Sequence, residues 1–151
     1  MTLASNFDFL SGDWIIANRR LKDYKGPEWE EFSGSAKVWS AMDGMASIEE
    51  LRGPNGKHLG MGIRVLNKQT GLWADHWTSA AYGVVNPPMM GSFRDGIATF
   101  ESDDTDTNNM PIKVRGIWDQ ITAKSCRWQQ LTSSDEGANW TPNWIMHWTR
   151  A

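Results

Sequence analysis

The sequence of 151 residues contains a single cysteine, Cys126, and only three histidines. One cysteine excludes an internal disulfide and a cluster of metal-binding thiolates. The histidines lie far apart, and none shows the His-x-His or His-x-x-x-His spacing of a zinc site. We therefore predict neither a metal site nor a required cofactor from the residues alone.

Long apolar runs and clusters of basic residues are missing as well. No stretch approaches the roughly 20 apolar residues that a membrane-crossing helix needs. No block of Lys and Arg forms a polybasic patch, and the formal net charge is -3, so we expect no nucleic-acid partner and no membrane insertion. The first residues do not show the basic and then apolar pattern of a signal peptide, which favours a cytoplasmic location.

Tryptophan is abundant, with 10 copies in the chain. The length fits one domain, residues 1–151, and a charged fraction of 22% with a hydrophobic fraction of 40% is typical of a globular protein. Indole side chains are large, and their N–H groups need partners. So many of them can build an ordinary core, a stacking pocket for a ligand, or both.

Apolar and polar residues alternate along most of the chain, which predicts β-strands. Gly-containing turns such as Asp43-Gly44 separate these short segments. About ten strands with hairpin-length connections predict an all-β fold, a single antiparallel up-and-down barrel whose interior can hold one small ligand.

Three segments depart from this alternation. Residues 3–10 predict a short helical plug that Ser5 or Asn6 caps and Gly12 ends. Residues 82–90 contain two prolines, which cannot donate to a strand ladder, so we interpret them as a loop or lid at the mouth of the barrel. The acidic residues 102–109 are interpreted as a mobile connection.

The segment Phe7-Asp8-Phe9-Leu10-Ser11-Gly12-Asp13-Trp14 resembles the Gly-x-Trp opening of lipocalins and related calycin barrels. Together with Gly71–Trp77 and Ser133–Trp144, it makes the chain resemble DUF1579-type bacterial proteins of unknown function along essentially its whole length. The resemblance implies a lipocalin-like or nitrobindin-like barrel. It also implies that Trp14 lies at the closed end beneath Arg150 from the last strand, but it supplies no reaction.

The run Ser133-x-Asp135-x-Gly137-x-Asn139-Trp140 also resembles the Asp-box of sialidase propellers. Propellers repeat this motif, whereas it occurs once here. We interpret it as a hairpin turn in which Asp135 accepts backbone N–H bonds, Gly137 takes a positive φ and Trp140 packs beneath.

Three residues are candidates for catalysis, namely Glu49, Arg64 and His76. Glu49 and Glu50 are adjacent on one strand, so one of them faces the interior, where Arg64 on the next strand can oppose it. Such a pair either orders the core or anchors a ligand, and a desolvated glutamate can act as an acid or base. His76 suits proton transfer, although the alternation places it on the face opposite Trp73 and Trp77.

The main functional prediction is the binding of a small hydrophobic or aromatic molecule in a Trp-lined cavity with a charged Glu/Arg anchor. The expected ligand-binding residues are Trp39, Trp73, Trp77, Tyr82, Met89, Arg115, Trp118, Trp128 and Trp144. The first alternative is an enzyme of cyclase, isomerase or hydratase type that acts on a hydrophobic substrate in the same cavity. The second is a haem or nitrogen-oxide binding barrel that uses His147 or His76. Apolar residues on both strand faces are also compatible with a homodimer.

Overall fold

The computed structural model describes residues 3–24 and 26–151. Ten antiparallel strands follow one another around a closed barrel, and the last strand pairs with the first. The strands are β1 (Gly12–Leu21), β2 (Trp29–Ala41), β3 (Ala46–Arg52), β4 (His58–Leu66), β5 (Trp73–Ser79), β6 (Met89–Arg94), β7 (Ile97–Thr105), β8 (Pro111–Asp119), β9 (Ser125–Ser133) and β10 (Thr141–Arg150). The predicted up-and-down barrel of about ten strands is confirmed.

The described residues also contain five short 3₁₀ turns, at Leu3–Ser5, Asp8–Leu10, Lys22–Tyr24, Met42–Gly44 and Pro54–Gly56. The predicted helical plug is therefore two single turns. Phe7, rather than Ser5 or Asn6, occupies the N-cap of the second turn, and its apolar side chain makes no capping hydrogen bond. Among the described residues, no helix is long and apolar enough to cross a membrane.

Two further boundaries differ from the sequence prediction. Met89 and Met90 begin β6 instead of ending a loop, because they pair with Asp75 and Ala74 of β5. The acidic segment continues β7 to Thr105, because Asp103 pairs with Lys113 across the ladder and its carboxylate lies 3.0 Å from the Lys113 ammonium. Opposite charges on neighbouring strands stabilise this extension.

The N-terminal segment closes one end of the barrel. Phe7 lies among rings that face the interior, with ring centroids 4.9 Å from both Trp73 and Phe93 in edge-to-face geometry. Leu10 is fully buried, and its carbonyl accepts a 2.8 Å hydrogen bond from the Trp14 indole. Burial of these aromatic and aliphatic groups attaches the plug to the barrel.

Arg150 fastens the plug from the last strand. Its guanidinium carbon lies 4.0 Å from the centre of the Trp14 ring. Its two terminal nitrogens donate to the carbonyls of Ser11 and Phe9, the second at 2.6 Å. The arrangement of Trp14 beneath Arg150 that the sequence resemblance implied is thus present in the structure.

We expect Arg150→Met to lower the free energy of unfolding by about 2 kcal/mol, because hydrogen bonds from a charged donor are worth roughly 1.5–3 kcal/mol. Urea unfolding followed by Trp fluorescence measures the loss. Arg94→Met is the matched control, since the Arg94 side chain is 91% exposed. Equal stability of the two variants would show that Arg150 does not hold the plug.

The Asp-box-like segment forms the predicted turn between β9 and β10. Asp135 Oδ1 accepts hydrogen bonds from Ser133 Oγ (2.7 Å) and the Asn139 backbone N–H (2.9 Å). Hydrogen bonds from Asn139 and Ser133 lower the pKa of Asp135 to about 2. Gly137 has φ +90°, and its carbonyl accepts a 3.1 Å hydrogen bond from the Trp140 indole. The interpretation of this motif as turn structure is confirmed.

Candidate functional site

A column of five tryptophans forms one wall of the barrel interior. Ring centroids are 5.8 Å apart between Trp14 and Trp148, 5.2 Å between Trp148 and Trp118, 6.4 Å between Trp118 and Trp128, and 5.7 Å between Trp128 and Trp144. The column runs from the plug towards the opposite end of the barrel, which we call the open end because inward-facing side chains there are partly accessible to solvent. Its indoles come from inward positions of the consecutive strands β8, β9, β10 and β1, and Trp118 and Trp128 are direct ladder partners.

Burial changes along this wall. Trp14, Trp118 and Trp148 are at most 2% exposed. Trp128 and Trp144, nearer the open end, are partly accessible to solvent although they face inward. The closed half is therefore packed core, whereas the open half of the interior presents indole surface that solvent reaches.

An ion pair lies beside the last indole of the column. Arg20 donates from Nε and Nη2 to Glu30 Oε1 at 3.0 and 2.7 Å. Its guanidinium carbon lies 4.9 Å from the Trp144 ring centre and 4.8 Å from that of Phe32. The indole N–H of Trp144 donates to Asn18 Oδ1 at 3.0 Å, which fixes the ring.

The facing wall is polar and comes from β3, β4 and β5. Arg64 donates from Nη1 to Glu49 Oε1 at 3.0 Å, and it lies 3.3–3.4 Å from Ser47 Oγ through Nη2 and Nε. The side chains of Arg64 and Glu49 are 2% and 7% exposed. The guanidinium also lies 5.1 Å from the Phe7 ring centre and 5.7 Å from that of Trp118. Arg64 thus joins the polar wall to the plug and the indole column.

Asp75 is the third charged group of this wall. It occupies an inward position of β5 between Trp73 and Trp77 and stands opposite Arg64 in the ladder. Its carboxylate accepts no hydrogen bond from the described residues, and solvent reaches part of the residue. Burial among protein atoms raises the pKa of Asp75 to about 6, and the nearby Glu49 carboxylate adds to the rise while Arg64 opposes it.

Glycines leave room beside these groups. Gly62 faces inward next to Glu49, and a methyl group added there would meet Arg64 Nη1 and Glu49 only at ordinary contact distances of 3.5 Å or more. Across the interior, Gly116 lies beneath Trp128 and Met89. Neighbouring side chains already reach contact distance of both glycines, so the missing side chains let the two walls approach the backbone closely.

The structure brings together eight of the residues predicted from the sequence. Each faces the barrel interior at the register of its strand. They are Glu49, Arg64, Trp73, Trp77, Met89, Trp118, Trp128 and Trp144. Of these, Trp73 and Trp118 belong to the packed closed half, so they form core rather than accessible lining.

Three predicted cavity residues lie elsewhere. Trp39 pairs with Ile48 at an outward position and is 45% exposed. Arg115 lies on the outer face, where it bonds to Glu101 at 2.6 Å and stacks on Trp140 at 4.0 Å. Tyr82 is 83% exposed on the loop between β5 and β6. The correction follows from strand parity, because every second residue of a strand points outward.

The histidines also lie outside the interior. His76 points outward with Nδ1 3.1 Å from the Asn86 carbonyl, His147 is exposed opposite Ala17, and His58 is exposed near Glu50. His76 is therefore not part of the interior site, contrary to its selection as a catalytic residue. A haem inside the barrel would find no histidine among the described residues, so the interior does not fit a His-ligated haem.

The residue that sequence reasoning missed is Asp75. It is the chain neighbour of the predicted residue His76, and it has the same parity as Trp73 and Trp77. Once those two indoles are assigned to the interior, the alternation alone places Asp75 there with them. Burial raises the pKa of the Cys126 thiol to about 12, which disfavours the thiolate that cysteine chemistry requires.

Two grooves mark the outer surface. One, of about 620 Å³, is lined mainly by outward-facing residues of β1, β2 and β10, including Ile15, Ala17, Ser33 and His147. A smaller one, of about 170 Å³, borders Lys37, Glu50 and Arg52. Both are open depressions, whereas small-molecule sites usually enclose most of the ligand surface.

No family model and no curated protein matches the chain. Among solved structures, it is similar to Rv2717c from M. tuberculosis, with a TM-score of 0.61 and 10% identity over 100% of this chain and 98% of that chain. It also matches the redesigned β-barrel b11L5F_LGL (TM-score 0.47, 10% identity, 100% and 99% coverage) and EF1p2_mFAP2b bound to DFHBI (0.48, 9%, 99% and 100%). At such identities these matches concern the fold alone, and membership of the DUF1579-type or calycin families stays a prediction.

Proposed function

We propose that this protein binds a small hydrophobic or aromatic molecule in the open half of the barrel interior. The observation that carries the proposal is the set of inward-facing but solvent-accessible indoles, Trp77, Trp128 and Trp144, on the walls that hold Glu49, Arg64 and Asp75. Indoles offer large, rigid surfaces for stacking, and a few fixed polar groups set the orientation of a ligand.

The division of the interior supports this placement. The plug and the buried indoles fill the closed half, so a ligand has to enter from the open end. There it meets apolar walls with one carboxylate that no protein donor satisfies. An interior site also surrounds a ligand on several sides, which the outer groove along β1 does not.

The binding experiment uses N-phenyl-1-naphthylamine, a neutral aromatic probe, with matched variants on the two faces of the barrel. We expect saturable binding to the wild type and to Trp39→Leu, since Trp39 is on the outer face. Trp128→Leu should weaken binding about three- to tenfold, because one aromatic contact is worth roughly 0.5–1.5 kcal/mol. Thermal unfolding confirms that both variants fold. Absence of saturable binding to the wild type, or equal weakening in both variants, would contradict the proposal.

Catalysis in the same site is the second candidate, and the raised pKa of Asp75 is the observation that favours it. A carboxyl with a pKa of about 6 exchanges its proton near neutral pH, as a general acid or base must. Glu49 and Arg64 are bonded to each other, so Asp75 is the group available for proton transfer. An Asp75→Asn variant that folds and binds ligand but catalyses no isomerisation or hydration would support this role, whereas unchanged turnover would exclude it.

A further inference from the structure

We infer that the ligand class of the interior site is a small aromatic or apolar ammonium ion, whose positive charge Asp75 accepts. This inference rests on the proposed function and specifies its ligand. It reverses the sequence-based expectation that the Glu49–Arg64 pair is the charged anchor of the ligand, and it gives that role to Asp75. The reversal follows from where the hydrogen-bonding capacity of the interior is already used.

The hydrogen-bond donors of Arg64 are already largely occupied, so few remain to bind an anion. Its guanidinium already bonds to Glu49 and approaches the Ser47 hydroxyl through the other nitrogens, and two aromatic rings cover its face. An anionic ligand would have to displace Glu49 from this pair. The displaced carboxylate would then lie in a buried position without its cation, which costs several kcal/mol.

Asp75, in contrast, has unused capacity. The groups that face it are Arg64 from β4, Glu49 from β3 and the apolar Met89 from β6, while its chain neighbour His76 points outward. With both carboxylates ionised, the polar wall carries two negative charges against one positive charge. A ligand that brings one positive charge and an N–H donor balances the wall and supplies the hydrogen bond that Asp75 lacks.

The aromatic walls suit the same charge. Indole faces attract cations, and the interior already uses this interaction twice, with Arg64 beside Trp118 and Arg20 beside Trp144. Trp77 lies two residues from Asp75 on the same face of β5. An ammonium group at Asp75 therefore lies next to indole surface, and the apolar part of the ligand can extend towards Trp128.

The charge balance of the polar wall predicts how the affinity for an ammonium ligand depends on pH. Without a ligand, burial raises the pKa of Asp75 to about 6, and a bound cation favours the ionised carboxylate. Ammonium binding should therefore strengthen as pH rises through about 6 and level off above it. Below that value the affinity falls by up to about tenfold per pH unit, because one proton must leave before the cation binds.

The test compares three probes of similar size by isothermal titration calorimetry, namely 2-phenylethylamine, 2-phenylethanol and 3-phenylpropionate. On the wild type above pH 6 we expect the amine to bind about ten- to a hundredfold more tightly than the alcohol, the range for a hydrogen bond to a charged group, and the carboxylate to bind worst. Asp75→Asn should remove the preference for the amine. Asp103→Asn, a change on the outer face of β7, should leave it intact.

The outcomes separate the inference from the proposed function. If the alcohol or the carboxylate binds as tightly as the amine, the site is a binding site but the cationic ligand class is wrong. Retention of the amine preference in Asp75→Asn would overturn the role of Asp75 in the same way. If none of the three probes nor the neutral naphthylamine binds the wild type, the proposed function itself fails and the inference fails with it.

Discussion

Arg64→Met is expected to lower the free energy of unfolding by about 3–5 kcal/mol at neutral pH, because it removes the only cation from a buried ion pair. Methionine has a similar length and adapts to irregular packing, so the loss should come from charge rather than from a cavity. The variant leaves the Glu49 and Asp75 carboxylates together in the interior without Arg64 between them. Chemical denaturation with urea measures the change.

The pH dependence of the free energy of unfolding of Arg64→Met identifies the cause of its destabilisation. Without the guanidinium, which otherwise lowers it, the folded-state pKa of Asp75 rises further, so protonation of this carboxyl relieves the repulsion between the two acidic groups. A carboxyl with a raised pKa stabilises the fold below its unfolded pKa and loses that contribution as pH rises. The destabilisation by Arg64→Met should therefore be smallest in acid and grow towards neutral pH.

Arg115→Met is the matched control on the outer face. Arg115 also bonds to a glutamate, Glu101, at 2.6 Å, but the two side chains are 31% and 48% exposed. Exposed pairs contribute about 0–1 kcal/mol, so this variant should lose little stability. Adding Glu49→Gln to Arg64→Met should recover part of the loss. A loss of under about 1 kcal/mol for Arg64→Met would show that the interior charges do not depend on one another.

Much of this fold is predictable from the sequence, because local signals persist in the final structure. Alternation with a period of two marks the strands, and Gly or Asp-Gly turns mark their ends. The contact between Trp14 and Arg150 is also predictable, since it joins the two chain ends that the sequence resemblance places together. Such features depend on neighbouring residues or on one recognisable pair.

The assignment of inner and outer faces is harder to predict, because both faces of several strands carry apolar residues. Along β2, the smaller Val38 points inward and the larger Trp39 points outward, where 45% of it is exposed. Side-chain size therefore predicts the wrong face. The ladder register around the closed barrel decides the question, and it depends on all ten strands at once.

The candidate site also combines one feature that is predictable from local sequence with one that depends on which strand face is inside. The pairing of Glu49 with Arg64 comes from two neighbouring strands and is predictable from their order. The parity that places Trp73 and Trp77 in the cavity also places Asp75 beside them and His76 on the outer face. The prediction of His76 rests on its proton-transfer chemistry and goes against this parity. A single parity decision thus separates an interior acid from an exterior imidazole.

Asp75→Asn is expected to raise the free energy of unfolding at neutral pH by about 3 kcal/mol, because a change of one pKa unit corresponds to about 1.4 kcal/mol. Burial moves the pKa of Asp75 from 3.8 to about 6. Below about pH 4 the carboxyl is protonated in both the folded and the unfolded chain, so its contribution to stability is then complete. As pH rises through about 6, that contribution is lost. Asparagine does not ionise, so the variant does not lose this stability as pH rises.

Urea unfolding of the wild type and the variant between acid and neutral pH measures the difference, with Asp95→Asn as the control because the Asp95 side chain is 93% exposed. The free energies of unfolding of the two proteins should be similar in acid and diverge towards neutral pH. If the Asp75→Asn variant is no more stable than the wild type at neutral pH, the ionised Asp75 does not destabilise the fold. A stabilising asparagine would mean that the barrel keeps a costly carboxylate where an amide would fold better. Proteins retain such groups mainly at functional sites, where stability and activity conflict. The same substitution should remove the preference for an ammonium ligand, so one residue links the stability cost to the proposed binding.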